Sequence, residues 1–243
     1  MSSKNKLSRK IDKAILQYEL IEPGDRILLA ISGGKDSLTL AYHLIHKQRG
    51  FPIPFELEAV HIQPDFPNGA DDKSFLKLME EWGLPCRVIQ VPVKERLKPG
   101  RKMNCYWCST QRRMELMKQA EELNCSKIAL GHHMDDILET FLMNMAYKGE
   151  MSTMLPKLKY DNYPYTVIRP LAYVHEAEIV TFAEQMDFKK ISCACNFDTT
   201  SKRHPARDAI DTLAINASVR DTMFKALSNP NMRYLMGGDG DKK

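Results

Sequence analysis

The sequence predicts an α/β protein: a doubly wound parallel sheet of about five strands with flanking N- and C-terminal helices. Three observations support this. Apolar runs of strand length alternate with stretches of helical periodicity from residue 26 onward. The first run, 26–31, leads straight into Ser32, Gly33, Gly34, Lys35, Asp36 and Ser37, and a helical repeat follows. No apolar run is long enough to span a bilayer, and the make-up of the 243 residues (43% hydrophobic, 27% charged) is that of a globular chain.

The elements follow in order. Residues 1–25 read as a basic helix with Ile11, Ala14, Ile15 and Leu20 as apolar positions, ending near Pro23-Gly24. Lys4, Lys6, Arg9, Lys10 and Lys13 make it either a solvated face or a nucleic-acid arm. Strand 26–31 precedes a helix to about His46 in which Leu38, Ala41, Leu44 and Ile45 share a face. Strand 55–62 and a helix over 71–82 come next, with Phe75, Leu78 and Met79 inward and Gly83 as the stop. Strand 86–91, a helix from about Ser109 to Leu123 and a strand over 127–130 continue the alternation. A helix over 134–147 has Ile137, Leu138, Phe141, Leu142 and Met145 as its core face. A strand at 166–168 and a helix over 175–186 complete the pattern. Domain organisation is expected to be a 1–25 helix, one domain over 26–236 and a disordered tail over 237–243. Repeated β-α units imply right-handed crossovers, with ligands beyond the carboxyl ends of the strands.

The glycine loop sits at such an end. The first amides of a helix lack intrahelical partners, and the helix dipole adds positive potential there. Two adjacent glycines let the backbone curl, Lys35 adds a point charge, and Ser32 and Ser37 add hydroxyls, which together make a phosphate cradle. It is not the common P-loop, because Lys35 is followed by Asp36, nor a dinucleotide fingerprint, because a third glycine is missing. The plain alternative is an ordinary strand-to-helix turn with a surface lysine. Asp36 offers the oxygen ligand that magnesium prefers.

Further chemistry-bearing groups lie downstream. Gly131, His132, His133, Asp135 and Asp136 follow the fourth strand and suggest a ligand or metal site. The alternative is a helix start with acids in its first turn. Cys105 and Cys108 form a C-x-x-C at the mouth of a helix, a spacing used by zinc, iron–sulfur clusters and dithiols. Cys193 and Cys195 are the other close pair, whereas Cys86 and Cys125 read as buried or incidental thiols. Net charge is +4, a mild excess that permits a polyanionic partner. Arg112, Arg113, Arg203 and Arg207 are candidates to receive the phosphates of such a partner, RNA if the resemblance given below holds, with ordinary surface charge as the alternative. With a polar, basic start and no signal peptide, the chain is expected to be cytoplasmic.

Together these stretches resemble the tRNA 2-thiocytidine synthetase family from about residue 8 to residue 227. The resemblance is carried by Asp25-Arg26, the loop at 32–37, Cys105-x-x-Cys108, the run 129–138, Pro156-Lys157-Leu158 and the run 168–173. It implies an adenine-nucleotide α-hydrolase-like fold. ATP would adenylate C2 of a cytidine in the tRNA anticodon loop, and sulfur would then replace the oxygen. It also implies ATP contacts from the 32–37 loop, Gly131, His132 and Asp135; magnesium on Asp36; and a 4Fe-4S cluster on Cys105, Cys108 and Cys193, with Cys195 as the rival third ligand. Lys35, Asp36 and the three cysteines would then be the catalytic set. A sulfur donor such as a cysteine desulfurase and a homodimer are implied in the same way. The stretch 192–196 departs from the family, being one residue shorter than its P-C-x-x-C-G and lacking the proline and the glycine. The rivals are a lysidine-synthetase-like adenylating enzyme, which has no need of the three cysteines, and an RNA- or nucleotide-binding protein with structural zinc.

Overall fold

The computed structural model describes residues 3–66, 72–161, 163–188 and 203–235. In chain order the elements are α1 (Ser3–Gln17), β1 (Asp25–Ala30), α2 (Lys35–Gln48), β2 (Phe55–Pro64), α3 (Asp72–Glu81), β3 (Cys86–Val91) and α4 (Cys105–Glu122). Then come β4 (Lys127–Ala129), α5 (Met134–Lys148), β5 (Lys157–Lys159), β6 (Thr166–Ile168), α6 (Glu176–Gln185), α7 (Arg203–Leu213) and α8 (Ala217–Leu227). A short 3-10 turn spans Met232–Tyr234. No helix among the described residues is long and apolar enough to cross a membrane. The chain divides into two compact units, residues 1–133 with 155–201 and residues 134–154 with 202–243.

The first unit is built on a six-stranded sheet in the order β3-β2-β1-β4-β6-β5. Strands β1 to β4 and β6 pair in parallel, and β5 pairs antiparallel with β6. The five parallel strands are those that periodicity predicts. The sixth, Lys157–Lys159, is three residues long and lies at the sheet edge, too short to produce an alternating pattern. Alternate residues of β1 face opposite cores. Ile27 and Leu29 join the cluster lined by α1, α2, α3 and α6, whereas Leu28 joins Val60, Ile62, Ile128 and Val167 beneath Met117 and Ala120 of α4. Each face is therefore closed by helices, as a parallel sheet requires.

Two boundaries and one helix face differ from the sequence expectation. The first helix stops at Gln17 rather than near Pro23, because Glu19 adopts a left-handed φ of 48°. The amides of Leu20 and Glu19 bond back to the carbonyls of Ile15 (2.9 Å) and Leu16 (3.4 Å), a Schellman termination that turns Leu20 and Ile21 into the core. Helix α4 starts at Cys105, four residues before Ser109, because the Asn104 side chain caps it and accepts from the Trp107 amide at 2.8 Å. The anticipated core face of α5 holds only in its first half. Ile137 and Leu138 are buried, Phe141 and Leu142 are half-buried and Met145 is exposed. In its own unit α5 packs against α7 and α8. The anticipated disordered tail lies outside the described residues.

A buried ion pair fastens the amino end of the sheet. The Lys127 ammonium, 4% exposed, meets Asp25 at 2.5 Å and Glu22 at 2.7 Å. Asp25 also accepts from the Ser126 hydroxyl (2.8 Å) and the Glu22 amide (2.6 Å), so the starts of β1 and β4 share one carboxylate. The same Lys127 contact, seconded by Lys157, holds the Glu22 carboxyl below its ordinary value. Replacing Asp25 leaves the buried ammonium under-compensated. Asp25→Ala is expected to cost about 3 kcal/mol of unfolding free energy in urea titrations.

Candidate active site

Strand order reverses between β1 and β4, and the loops that follow these two strands meet there. The first is the 32–37 loop. Gly33 takes a left-handed φ of 82°, the one loop position where a side chain would be strained. Gly34 has φ −75° and ψ 161°, an extended conformation open to any residue, and serves as the N-cap of α2. Only one of the two glycines is therefore required by its backbone.

The two serines staple the loop together. Buried Ser37 donates to the Gly34 carbonyl (2.9 Å), accepts from the Ser32 amide (3.2 Å) and lies 3.1 Å from the Ser32 hydroxyl. The Ser32 hydroxyl in turn accepts from the Gly34 amide at 3.3 Å. The hydroxyls expected to face a ligand thus hold the curl of the loop, and the amides at the start of α2 are left as the anion-facing donors.

Lys35 contacts two carboxylates, Asp36 at 2.8 Å and Glu176 of α6 at 3.0 Å. Burial works against its ammonium, but the two carboxylates outweigh it and the pKa moves upward. Lys35 is therefore a fixed cation at physiological pH.

The second loop follows β4. A Cβ on Gly131 would stand 3.0 Å from both the Asp36 carbonyl carbon and the Ser37 amide nitrogen. Glycine is needed here for close approach, since only a bare backbone lets this loop lie on the first turn of α2. His133, buried, has Nε2 3.9 Å from an Asp36 oxygen. His132 accepts at Nδ1 from Nε of Arg169, 3.4 Å away, and Arg169 also donates to the Leu155 carbonyl. Buried His61 of β2 places Nδ1 2.8 Å from the Ile31 carbonyl and supports the residue before the loop. His133 belongs to the group the sequence singled out, whereas Glu176, Arg169 and His61 escape sequence reasoning as members of this site. Glu176 is separated from Lys35 by 141 residues, and no local pattern reports such a contact.

Two of the candidate cysteines are described. Cys105 and Cys108 occupy the first turn of α4 at i and i+3, which places them on one face, and Arg112 continues that face one turn on. Cys105 is exposed, Cys108 and Arg112 are half-buried, and Arg113 is exposed. A helix N-terminus favours negative charge, so a thiolate pair or an anionic cluster is well placed there. Cys86 and Cys125 contrast with them: burial pushes their thiols up to about 12 and about 11, which leaves them protonated at physiological pH. Cys193 and Cys195 lie outside the described residues. Among those described, no group of three or more histidine, cysteine or acidic side chains is arranged to hold a metal.

The remaining candidates belong to the second unit. Asp135 pairs with Arg220 at 3.0 Å, Asp136 with Arg203 at 3.4 Å, and buried Glu139 with Arg207 at 2.7 Å. These contacts tie α5 to α7 and α8. Arg203 and Arg207, two of the four arginines considered for RNA phosphates, thus have carboxylate partners within their own unit. The basic N-terminal helix is also docked rather than an extended arm. Leu7, Ile11, Ala14 and Ile15 are buried, Lys10 reaches Glu178 at 2.5 Å, and the Lys13 ammonium sits 4.5 Å from the centre of the Tyr173 ring.

Two consequences are measurable. Gly131→Ala forces backbone to shift at the loop contact and is expected to lower stability by about 1–3 kcal/mol in urea titrations, whereas Gly50→Ala, in open space, does not. Burial, only partly offset by Arg207, holds the Glu139 carboxyl above its ordinary value. The folded chain therefore binds that proton more tightly than the unfolded one. Its contribution to stability falls as pH rises from the ordinary value of 4.5 through the raised one. Thermal melting across that window is expected to show this slope in the parent and lose it in Glu139→Gln.

Comparison with known proteins places this architecture. Residues 3–213 match the family described as the PP-loop domain. Over 238 residues the chain is 40% identical to a tRNA-cytidine(32) 2-sulfurtransferase of Syntrophotalea carbinolica, covering 95% of this chain and 91% of that protein. It is 42% identical over 238 residues to the protein of the same name from Alkalilimnicola ehrlichii, covering 95% and 74%. Among solved structures, a U34-tRNA thiolase from Methanococcus maripaludis with its 4Fe-4S cluster superposes with a TM-score of 0.77 at 23% identity, covering 93% of this chain and 78% of that one. The NH3-dependent NAD synthetase of Campylobacter jejuni superposes at 0.53 with 16% identity, covering 96% of each. With a 3-2-1-4 parallel core and a serine-stapled loop at its switch point, the chain belongs to the PP-loop family, in the group that includes the tRNA-cytidine(32) 2-sulfurtransferases.

Proposed function

We propose that the protein is an ATP-dependent tRNA sulfurtransferase that converts cytidine 32 of the anticodon loop to 2-thiocytidine. The observation that carries this function is the 32–37 loop, with Lys35 held cationic at its mouth, in a chain so closely related to enzymes named for that reaction. In the first step the cytidine O2 attacks the α-phosphorus of ATP and pyrophosphate leaves. In the second a hydrosulfide-level sulfur attacks C2, and AMP departs with the former oxygen. No net redox change is needed.

The chain's own groups fit these steps. The free amides at the start of α2 and the Lys35 ammonium receive the departing pyrophosphate, where negative charge builds up. The half-exposed Asp36 carboxylate presents the hard oxygen that a magnesium ion takes. Cys105 and Cys108 supply two thiolates from one helical turn, and Cys193 or its rival Cys195 would supply a third. When bound there, a 4Fe-4S cluster supplies an iron with an open position for the incoming sulfur. Exposed Arg113 and half-buried Arg112 lie on the same helix and serve to receive RNA phosphates. A cysteine-desulfurase type of donor, whose persulfide sulfur a dithiol reductant brings to the hydrosulfide level, a homodimer and a cytoplasmic location belong to the same proposal and rest on the family resemblance.

The test is 2-thiocytidine in tRNA, measured by mass spectrometry in cells whose only such enzyme is the protein or a variant. Lys35→Ala and Cys105→Ala are each expected to reduce it at least about 100-fold. Iron and sulfide analysis of anaerobically purified protein should give about four of each per chain. Undiminished thionucleoside in either variant, or stoichiometric zinc without iron after attempted cluster reconstitution, would overturn the proposal.

A further inference from the structure

The connection from β3 to α4 leaves the sheet at its carboxyl end, the end that carries the 32–37 loop. Strand β3 lies two positions from β1, about 10 Å across the sheet. Residues 92–113, which run through this connection into α4, hold seven lysines and arginines and a single acid, Glu95, so this stretch carries more positive charge than the net +4 of the whole chain. The connection is pinned along α4. The Trp107 indole donates to the Val93 carbonyl at 3.0 Å, and Arg96 reaches Gln111 at 3.3 Å and Glu115 at 3.8 Å. The Asp65 carboxylate accepts from the amides of Lys94 (2.9 Å) and Glu95 (3.2 Å). Arg96 therefore belongs to the scaffold. Lys94, Lys98, Arg101, Lys102 and Arg113 are exposed and Arg112 is half-buried. Among the described residues, none of these six lies within ion-pair distance of a carboxylate, unlike Arg203 and Arg207. Tyr106 stands in their midst. It follows Cys105 in the first turn of α4, is 80% exposed, and shares a face with Arg113 two turns on. A ring this exposed adds little to the fold. Set among exposed cations, it has the make-up of a single-strand binding surface, where cations track phosphates and aromatic faces receive bases.

Resting on the tRNA reading proposed above, we infer that the 94–113 surface receives the anticodon loop and that Tyr106 is the stacking platform for one of its unpaired bases. Duplex RNA does not suit the ring, because its bases are stacked on one another and its accessible groove presents ribose and base edges. An acidic protein would meet the cations but leave the ring without a task. A single-stranded loop supplies both free base faces and phosphates. The cysteine pair gives the position its use. A base stacked on Tyr106 lies within about one helical turn of Cys105 and Cys108, where the proposed sulfur chemistry takes place. Tyr106 is a positioning residue. It acts through the RNA that it orients and touches no reacting atom. The purely structural alternative, that the ring or its hydroxyl only shields the thiols, is what the test must separate.

The probe is a synthetic RNA hairpin with the anticodon-arm sequence of a tRNA bearing cytidine 32, compared with a fully paired duplex of the same stem. Dissociation constants are measured by fluorescence anisotropy on anaerobically purified full-length holoprotein, over a salt series, with iron and sulfide content matched between variants. Tyr106→Ala is expected to weaken hairpin binding about 10-fold, the loss of one stacked base, and to leave duplex binding within about twofold of the parent. Tyr106→Phe keeps the parent affinity. Tyr106→Leu, measured in case the alanine variant fails to fold, weakens as alanine does. The slope of log affinity against log salt is unchanged in Tyr106→Ala. It shrinks by about 1.4 when Arg101→Gln and Lys102→Gln are combined, two phosphate contacts at about 0.7 each on a single strand. Lys77→Gln, on an exposed lysine of α3 at the opposite face of the sheet, changes neither quantity. Undiminished hairpin affinity in folded Tyr106→Ala would overturn the inference and leave the proposed reaction standing. Equal losses on hairpin and duplex, a loss in Tyr106→Phe as large as in Tyr106→Ala, or an unchanged slope in the double variant would overturn it as well. Binding of neither RNA by the folded, iron-loaded parent would remove the tRNA reading itself, and the inference with it.

Discussion

The contact on which the active site depends is the one between Gly131 and the first turn of α2. It brings a loop near residue 131 against a loop near residue 36, so close that a methyl group would stand 3.0 Å from the Asp36 and Ser37 backbone. Parallel pairing of β1 with β4 makes the approach unavoidable, because both loops leave the sheet at the same end and from neighbouring strands. Everything chemical at the site hangs from this junction. Asp36 comes under His133, Lys35 is aimed outward toward Glu176, and Ser37 is buried so that it can close the loop on Ser32. The geometry of the 32–37 loop therefore depends on tertiary structure even though its residues are contiguous.

The two lysines at opposite ends of β1 and β4 show how burial separates scaffold from machinery. Lys127 is nearly inaccessible and held by two carboxylates, which fixes the starts of the strands. Lys35 also has two carboxylates but remains one-third exposed. A buried pair cannot trade partners without stranding a charge, whereas a half-exposed one can release its carboxylate to water when a phosphate arrives. The same residue type with the same number of acidic partners is structural in one place and available in the other.

The cysteines divide along the same line. Burial raises the Cys86 and Cys125 thiols far above neutrality, which keeps both protonated at physiological pH. Cys105 and Cys108 stand at the positive end of a capped helix, with an arginine on their own face. Asn104 decides this. By starting α4 at Cys105, it turns a C-x-x-C in a loop into a pair on one helical surface.

The sequence by itself determined the alternation of strand and helix, the inward faces of α1, α2 and α3, and the identity of the loop. These are written in local periodicity and short-range backbone chemistry. Its motifs also reached the right family. It could not specify β5, whose three residues pair only because β6 offers an edge. It could not reveal that α1 stops at a left-handed Glu19, nor that the acids after His133 are bound to arginines about 70 to 85 residues later. The carboxylate on Lys35 is the sharpest case. Glu176 reads in sequence as an ordinary first-turn acid, and only the packing of α6 beside α2 turns it toward the loop. Local composition sets what each segment prefers to be, whereas the partner of a charge is chosen by the distances that folding creates.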